Sequence, residues 1–147
     1  MTIPGSYVAG DVLTAANMNL LPAGKVAIAS VTSTSSANAG TTALLAASSF
    51  TAVTGRRYRI TISFYDAVIV GSGTSEVQIR RGSTQIASAY VAATAGTYPG
   101  RSFSTTDVPG AGTVTYNFYT FTNATTIQIE ASSTAPYSIL VEDIGAS

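Results

Sequence analysis

Seven carboxylates, six arginines and eight tyrosines are the reactive side chains of this 147-residue sequence, which has no histidine and no cysteine. That stock excludes serine–histidine nucleophiles, cysteine nucleophiles and the usual zinc ligand sets. Acid–base work by carboxylates needs two of them close together in different environments. The acids are Asp11, Asp66, Glu76, Asp107, Glu130, Glu142 and Asp143. Only Glu142 and Asp143 adjoin, and neighbours in a strand point to opposite faces. Glu76 and Glu130 sit on wet faces of alternating segments, and Asp66 falls at the end of one. They read as solvated strand and turn acids; a pair assembled only in three dimensions stays open. Gly71-Ser72-Gly73 lacks the further glycine and the lysine of a phosphate loop, and no run has the spacing of a calcium loop. The expectation is a protein with no catalytic residue, no cofactor and no metal.

The arginines are concentrated. Arg56, Arg57 and Arg59 form one group, and Arg80 and Arg81 a second. Alternation puts Arg57 and Arg59 on one face, where they can pair with Glu76 or Glu130 across a sheet or bind an anion or a glycan. Tyrosine offers apolar area with a hydroxyl at its tip, which suits protein seams and sugars alike. Arg57, Arg59, Tyr98 and Tyr119 are therefore the candidate surface-recognition residues. The formal net charge is zero, which gives little counterion release on nucleic acid and no pull toward an anionic membrane. Asn123-Ala124-Thr125 has the form of a glycosylation acceptor, but residues 1–5 carry no basic, apolar start of a secretory signal.

These side chains must be positioned by a chain of unusual make-up. Thr, Ser, Ala and Gly fill just over half of it, and charged residues only 10%, against about 25% in an ordinary soluble domain. Its surface is hydroxyl-rich rather than charged, which suits an assembled protein. Residues 1–25 stand apart: Pro4-Gly5 marks a turn, and a short helix capped at Asp11 or Thr14 runs to about Leu20. That piece is too short to be stable alone and must dock on something. From Val26 the period becomes two. Val26 and Ile28 alternate with Ala27 and Ala29, and residues 33–42 read as a polar loop. Tyr58, Ile60, Ile62 and Phe64 alternate with polar residues, as do Val77 and Ile79. Gly82-Ser83 signals a hairpin, with Ile86, Ser88 and Tyr90 sharing a face of the returning strand. Residues 93–112 read as loop anchored by Phe103. Val114, Tyr116 and Phe118 form the next strand, Asn123 a turn, Ile127 and Ile129 another strand, and Ile139 and Val141 the last. About eight strands without helical crossovers predict an all-β fold. The natural form is an antiparallel β-sandwich of jelly-roll type over residues 26–147, preceded by a short N-terminal arm. An eight-stranded barrel is its nearest competitor. No stretch is long and apolar enough for a membrane span.

The segment from Gly10 to Asn19, with Gly10, Asp11, Thr14, Ala15 and Asn19 at matching places, resembles one near the start of many tailed-phage virion proteins: minor tail proteins, head fibres and capsid decoration proteins. Leu140-Val141-Glu142-Asp143-Ile144-Gly145 is similar to the ending of β-domains in the same group. So in style are Phe50 before a turn, Gly55-Arg56-Arg57-Tyr58-Arg59-Ile60 leading a strand, and Arg80-Arg81-Gly82 before a hairpin. The resemblance implies an arm that attaches to the virion, through Asp11, Leu13, Thr14, Asn17 and Asn19 here, and a sandwich displayed outward, often as a trimer. The expectation is then a non-enzymatic virion protein, made in the host cytoplasm, whose partners are its own copies and capsid or tail proteins. The alternative is a carbohydrate- or receptor-binding module of the adsorption apparatus that meets a host surface glycan.

Overall fold

The computed structural model describes residues 22–147; Asp11, Leu13, Thr14, Asn17 and Asn19, and the short helix expected around them, lie outside the described residues. The protein is all-β. Among the described residues twelve strands form three sheets, where about eight strands were expected. β1 (Gly24–Val31), β12 (Tyr137–Ala146), β4 (Arg56–Ser63) and β9 (Ser102–Asp107) make a four-stranded antiparallel sheet in that order. β7 (Thr84–Ala92), β6 (Ser75–Arg81), β11 (Tyr116–Glu130), β5 (Asp66–Val70) and β8 (Gly96–Pro99), with β2 (Asn38–Ala46) along the free side of β11, make a six-stranded sheet, curled as a half-barrel. β3 (Phe50–Ala52) and β10 (Gly112–Val114) form a small third sheet. Gly24 and Lys25, counted with the arm on sequence grounds, already pair with Asp143 and Glu142.

Strict alternation builds the core. Tyr58, Ile60 and Ile62 of β4 and Tyr137, Ile139 and Val141 of β12 point inward from the four-stranded sheet. Val77, Ile79, Tyr116, Phe118, Ile127 and Ile129 answer from the six-stranded one, and all belong to one apolar cluster. Each such side chain contributes about 1.5–3 kcal/mol on burial. Ring contacts bridge the layers: Phe118 meets Tyr137 edge-on at 6.0 Å and Phe64 at 6.2 Å.

β11 organises the six-stranded sheet. Its first half pairs with β6 and its second half with β5, on the same side. β7 and β8 repeat this one strand further out. The outgoing chain 66–81 and the returning chain 84–99 thus form one long hairpin, interrupted halfway. Gly82, at φ 57°, takes the first of its two turn positions, as a type II′ turn requires. The interruption brings the chain close to β11 and leaves room only for glycine. A Cβ on Gly73, which sits at φ 148°, would lie 2.5 Å from Asn123 Oδ1 and 2.7 Å from the Ala124 nitrogen.

Several expectations are corrected. Asn123 lies inside β11 rather than in a turn between strands; the break is in β11's partners. Residues 38–42, expected as loop, belong to β2, and residues 93–112 hold β8, β9 and the start of β10. In β1 the alanines face inward: Ala27 is buried opposite Val141, while Ile28 is 47% exposed. In β7 a register shift opposite Ile79–Arg80 separates Ile86, half-buried against the core, from the exposed Ser88 and Tyr90.

The two larger sheets share two distinct ends. One, the base, holds Gly24, the β6–β7 turn, the small third sheet and the C-terminus, where the Ser147 amide donates to the Gly55 carbonyl at 2.8 Å. The opposite, far end carries the connections 32–37, 64–65, 100–101 and 131–136.

Candidate functional site

The outer face of the six-stranded sheet gathers the polar and aromatic side chains that alternation turns away from the core. With Val77 and Ile79 inward, Glu76, Gln78 and Arg80 share the outer side of β6. The register completes a grid. Phe121, Tyr119 and Asn117 of β11 stand opposite Glu76, Gln78 and Arg80 on one side. Tyr90, Ser88 and Gln85 of β7 stand opposite them on the other.

The centre of this grid is ordered by its own contacts. The Arg80 guanidinium lies over the Tyr119 ring, 4.8 Å from its centroid, an attractive cation–π geometry. Arg80 Nε donates to Gln78 Oε1 at 3.0 Å, and Arg80 Nη1 to the Ser83 carbonyl at 3.4 Å. Gln78 Nε2 reaches Glu76 Oε2 at 3.5 Å. Gln78 is only 4% exposed although it faces outward; the longer side chains around it cover it, so it acts as a post that fixes its two neighbours. Tyr90 is 54% exposed. Its backbone carbonyl accepts from Arg101 Nη1 at 3.2 Å.

A second polar constellation lies at the base. Asp107 Oδ2 accepts from Arg81 Nη1 and from the Tyr116 hydroxyl, both at 2.8 Å, and Oδ1 accepts from the Val108 amide at 2.9 Å. Burial pushes the Tyr116 phenol well above its ordinary value, and the hydrogen bond and charge of Asp107 push the same way. The proton therefore stays on tyrosine, and Asp107 remains an acceptor. Beside this knot, Arg81, Gly82, Pro109, Gly110, Ala111, Thr113, Val114 and Thr115 line an open cleft of about 460 Å³. Further in, Asp143 Oδ2 accepts from Arg56 Nε at 2.9 Å and Nη2 at 2.6 Å, both residues being buried. These arrangements orient side chains and tie neighbouring strands together. Among the described residues no group of three or more metal-type ligands converges, and no helix is long and apolar enough to cross a membrane.

The four recognition residues suggested by sequence do not form one site. Arg57 and Arg59 lie on the outer face of the four-stranded sheet, and Tyr119 on the outer face of the other. Tyr98 packs against the core, its hydroxyl on the Thr94 carbonyl at 2.8 Å. Arg59 pairs with Glu142 rather than with Glu76 or Glu130, through Nε at 2.9 Å and Nη2 at 2.8 Å to one oxygen. The reason is topological: Glu142 is its cross-strand neighbour in register, whereas Glu76 and Glu130 belong to the other sheet. Sequence reasoning missed the Glu76–Gln78–Arg80 ladder as a unit, although its i, i+2, i+4 spacing was visible. It also missed Asp107–Arg81–Tyr116, which needs three strands in their folded places. No protein-family model matches the chain, and a search of curated proteins finds no match.

Proposed function

We propose that this chain is a structural, non-enzymatic protein of a tailed-phage virion, displayed on the particle surface as a homotrimer with jelly-roll subunits. The observation that carries the reading is the polarity of the two ends. The chain passes from residues 1–21 into Gly24 at the base, where the C-terminus, the small third sheet and the buried ion pair Arg56–Asp143 also lie. The far end offers loops of Ser, Thr and Ala, such as 32–37 and 131–136. An arm that grips the particle and a sandwich that faces outward need this layout. A weakly charged, hydroxyl-rich surface suits repeated contacts between copies.

Strand order supports the jelly-roll part of the reading. Counted as single interrupted strands, β5 with β6 and β7 with β8 reduce the long strands to eight. The four-stranded sheet then reads first, eighth, third, sixth, and the other second, seventh, fourth, fifth, two interlocked Greek keys. In support of the non-enzymatic part, Asp107, Glu142 and Asp143 are each committed to an arginine; Asp66 and Glu130 stand opposite one another in register.

The test is the solution mass by light scattering, for the full chain and for a form lacking residues 1–25. Three copies of the 15.0 kDa chain, about 45 kDa, are expected for the full chain. A trimer that survives removal of the arm assigns assembly to the sandwich and leaves the arm to bind the particle. Monomers of both forms at micromolar concentration overturn the trimer.

A further inference from the structure

We infer that the outer face of the six-stranded sheet binds a neutral, hexose-containing glycan, with Tyr90 as the stacking platform and Glu76 and Arg80 as hydroxyl partners. A pyranose presents two chemistries at once: an apolar face of C–H groups and a rim of hydroxyls, each both donor and acceptor. A matching protein surface therefore needs an exposed ring beside polar groups already fixed in place. Tyr90 is such a ring, more than half exposed, and it is the register neighbour of Glu76. Tyrosine gives this contact at little cost in side-chain freedom.

The polar groups are held before any ligand arrives. Arg80 is clamped by Tyr119 beneath it and by Gln78 beside it. Buried Gln78 also reaches toward one oxygen of Glu76. That leaves Glu76 as the acceptor and Arg80 as the donor, two steps apart on the same strand face with Gln78 between them. Gln78 is a positioning residue that keeps them there, and such pre-organisation raises affinity by lowering the ordering cost of binding.

Charge selects among ligand classes. Glu76 and Arg80 cancel within the grid, while Asp66 and Glu130, register partners further along the same outer face, add negative charge that repels phosphate, so counterion release on nucleic acid is not available. A single carboxylate with one amide is too few oxygens for calcium. A stable protein interface needs a buried apolar or aromatic centre with several anchors, whereas Tyr90 is separated from Phe121 and Tyr119 by the polar row Glu76, Gln78 and Arg80, and Tyr119 is already covered by Arg80. A neutral polyhydroxyl ligand fits each of these features. The inference does not depend on the virion reading, and its failure leaves the trimer test untouched.

The experiment uses the full chain on a printed array of neutral and acidic microbial glycans, followed by calorimetric titration with the strongest neutral hit. Saturable binding is expected, changing less than twofold between low and high salt. Tyr90→Ala, an exposed position that leaves the melting temperature near that of the parent, is expected to weaken binding about tenfold or more. Glu76→Gln is expected to weaken it severalfold, and Arg57→Ala, on the opposite sheet, to leave it unchanged. No glycan retained at about 1 mM, the weak limit of specific recognition, overturns the inference. So does binding that survives both Tyr90→Ala and Glu76→Gln, or binding to acidic glycans alone that collapses with salt. A Tyr90→Ala variant that loses its trimer mass while sugar binding persists would assign the face to contacts between copies and overturn it as well.

Discussion

At the base of the two larger sheets ionised side chains reach across from strand to strand, whereas at the far end backbone and hydroxyls meet directly. Arg56 and Asp143 bond through two nitrogens at the base, and Arg81 and Tyr116 converge on Asp107. At the far end the 32–37 connection is stitched to β11 by small groups. The Ser35 amide donates to the Ile129 carbonyl, Ser35 Oγ accepts from the Ile129 amide, and the Gln128 amide reaches the Ser35 carbonyl. Gly100 lets its backbone press on that of Phe64 and Tyr65. The ion pairs lie toward the base; the far end, though Asp66, Arg101 and Glu130 are there, is joined through its abundant Ser, Thr and Gly. The low charge and hydroxyl-rich composition are thus a closing strategy for half the molecule, and not only a surface property.

The comparison breaks most visibly at Asp143. Asp143→Ala leaves the buried Arg56 without its carboxylate and removes the acceptor for the Gly145 amide at 2.9 Å. Stranding one member of a buried pair costs about 3–5 kcal/mol. The chemical denaturation midpoint is expected to fall accordingly; a loss under about 1 kcal/mol would mean that charge does not hold the base. The far end is tested by Gly100→Ala. A Cβ there runs into the carbonyl oxygens of Phe64 and Tyr65, backbone groups that cannot rotate away. Overpacking of this kind costs about 1–3 kcal/mol. Ser35→Ala serves as its companion, removing the Oγ that accepts from the Ile129 amide and donates to the Ser36 carbonyl, with a smaller expected loss of about 1 kcal/mol.

The two ends also differ in how far they could be read from sequence. β4, β6 and β12 were legible because large apolar side chains alternate with polar ones, as in Tyr58-Arg59-Ile60-Thr61-Ile62. β2, β8 and β9 were not, because Ser, Thr, Ala and Gly differ too little between faces: Ser102-Phe103-Ser104-Thr105-Thr106-Asp107 holds a single large apolar residue. Ala27 and Ala29 took the inner face of β1 because the register with β12 decides it, against their small size. The base was illegible for another reason. Arg56 and Asp143 are far apart in sequence, and only the pairing of β4 with β12 brings them together. On the outer face of the six-stranded sheet, the Glu76–Gln78–Arg80 spacing could be seen, but Tyr119 and Tyr90 join it only through β11 and β7.

Tyr116 sharpens the comparison through pH. A tyrosine ordinarily titrates near 10, and at the base burial and Asp107 raise it. Above about pH 10 the unfolded chain sheds this proton while the folded chain keeps it. The unfolded state then binds fewer protons, and stability falls as pH rises. Tyr116→Phe is expected to cost about 1.5 kcal/mol at neutral pH, for a lost hydrogen bond to a carboxylate, and to flatten the fall between pH 9 and about 11. An unchanged alkaline slope would remove Tyr116 from the account; burial raises Tyr137 in the same direction, so a residual slope is expected.

The smallest effect belongs to a second ion pair on the same two strands. Arg59 and Glu142 face outward from β4 and β12, while Arg56 and Asp143 face inward. The side chains of the outer pair are 50% and 26% exposed, those of the inner pair 10% and 7%. Water and salt screen the outer pair, so Arg59→Ala is expected to cost about 0.2–1 kcal/mol, and less as salt rises. The inner pair should respond little to salt, since solvent ions do not reach it. Measuring both substitutions at low and high salt separates burial from mere proximity, because sheet, strands and chemistry are held nearly constant. If Arg59→Ala cost as much as Asp143→Ala, the base would be held by its outer surface, and the contrast between a charged base and a hydroxyl-stitched far end would have to be drawn from exposed contacts instead.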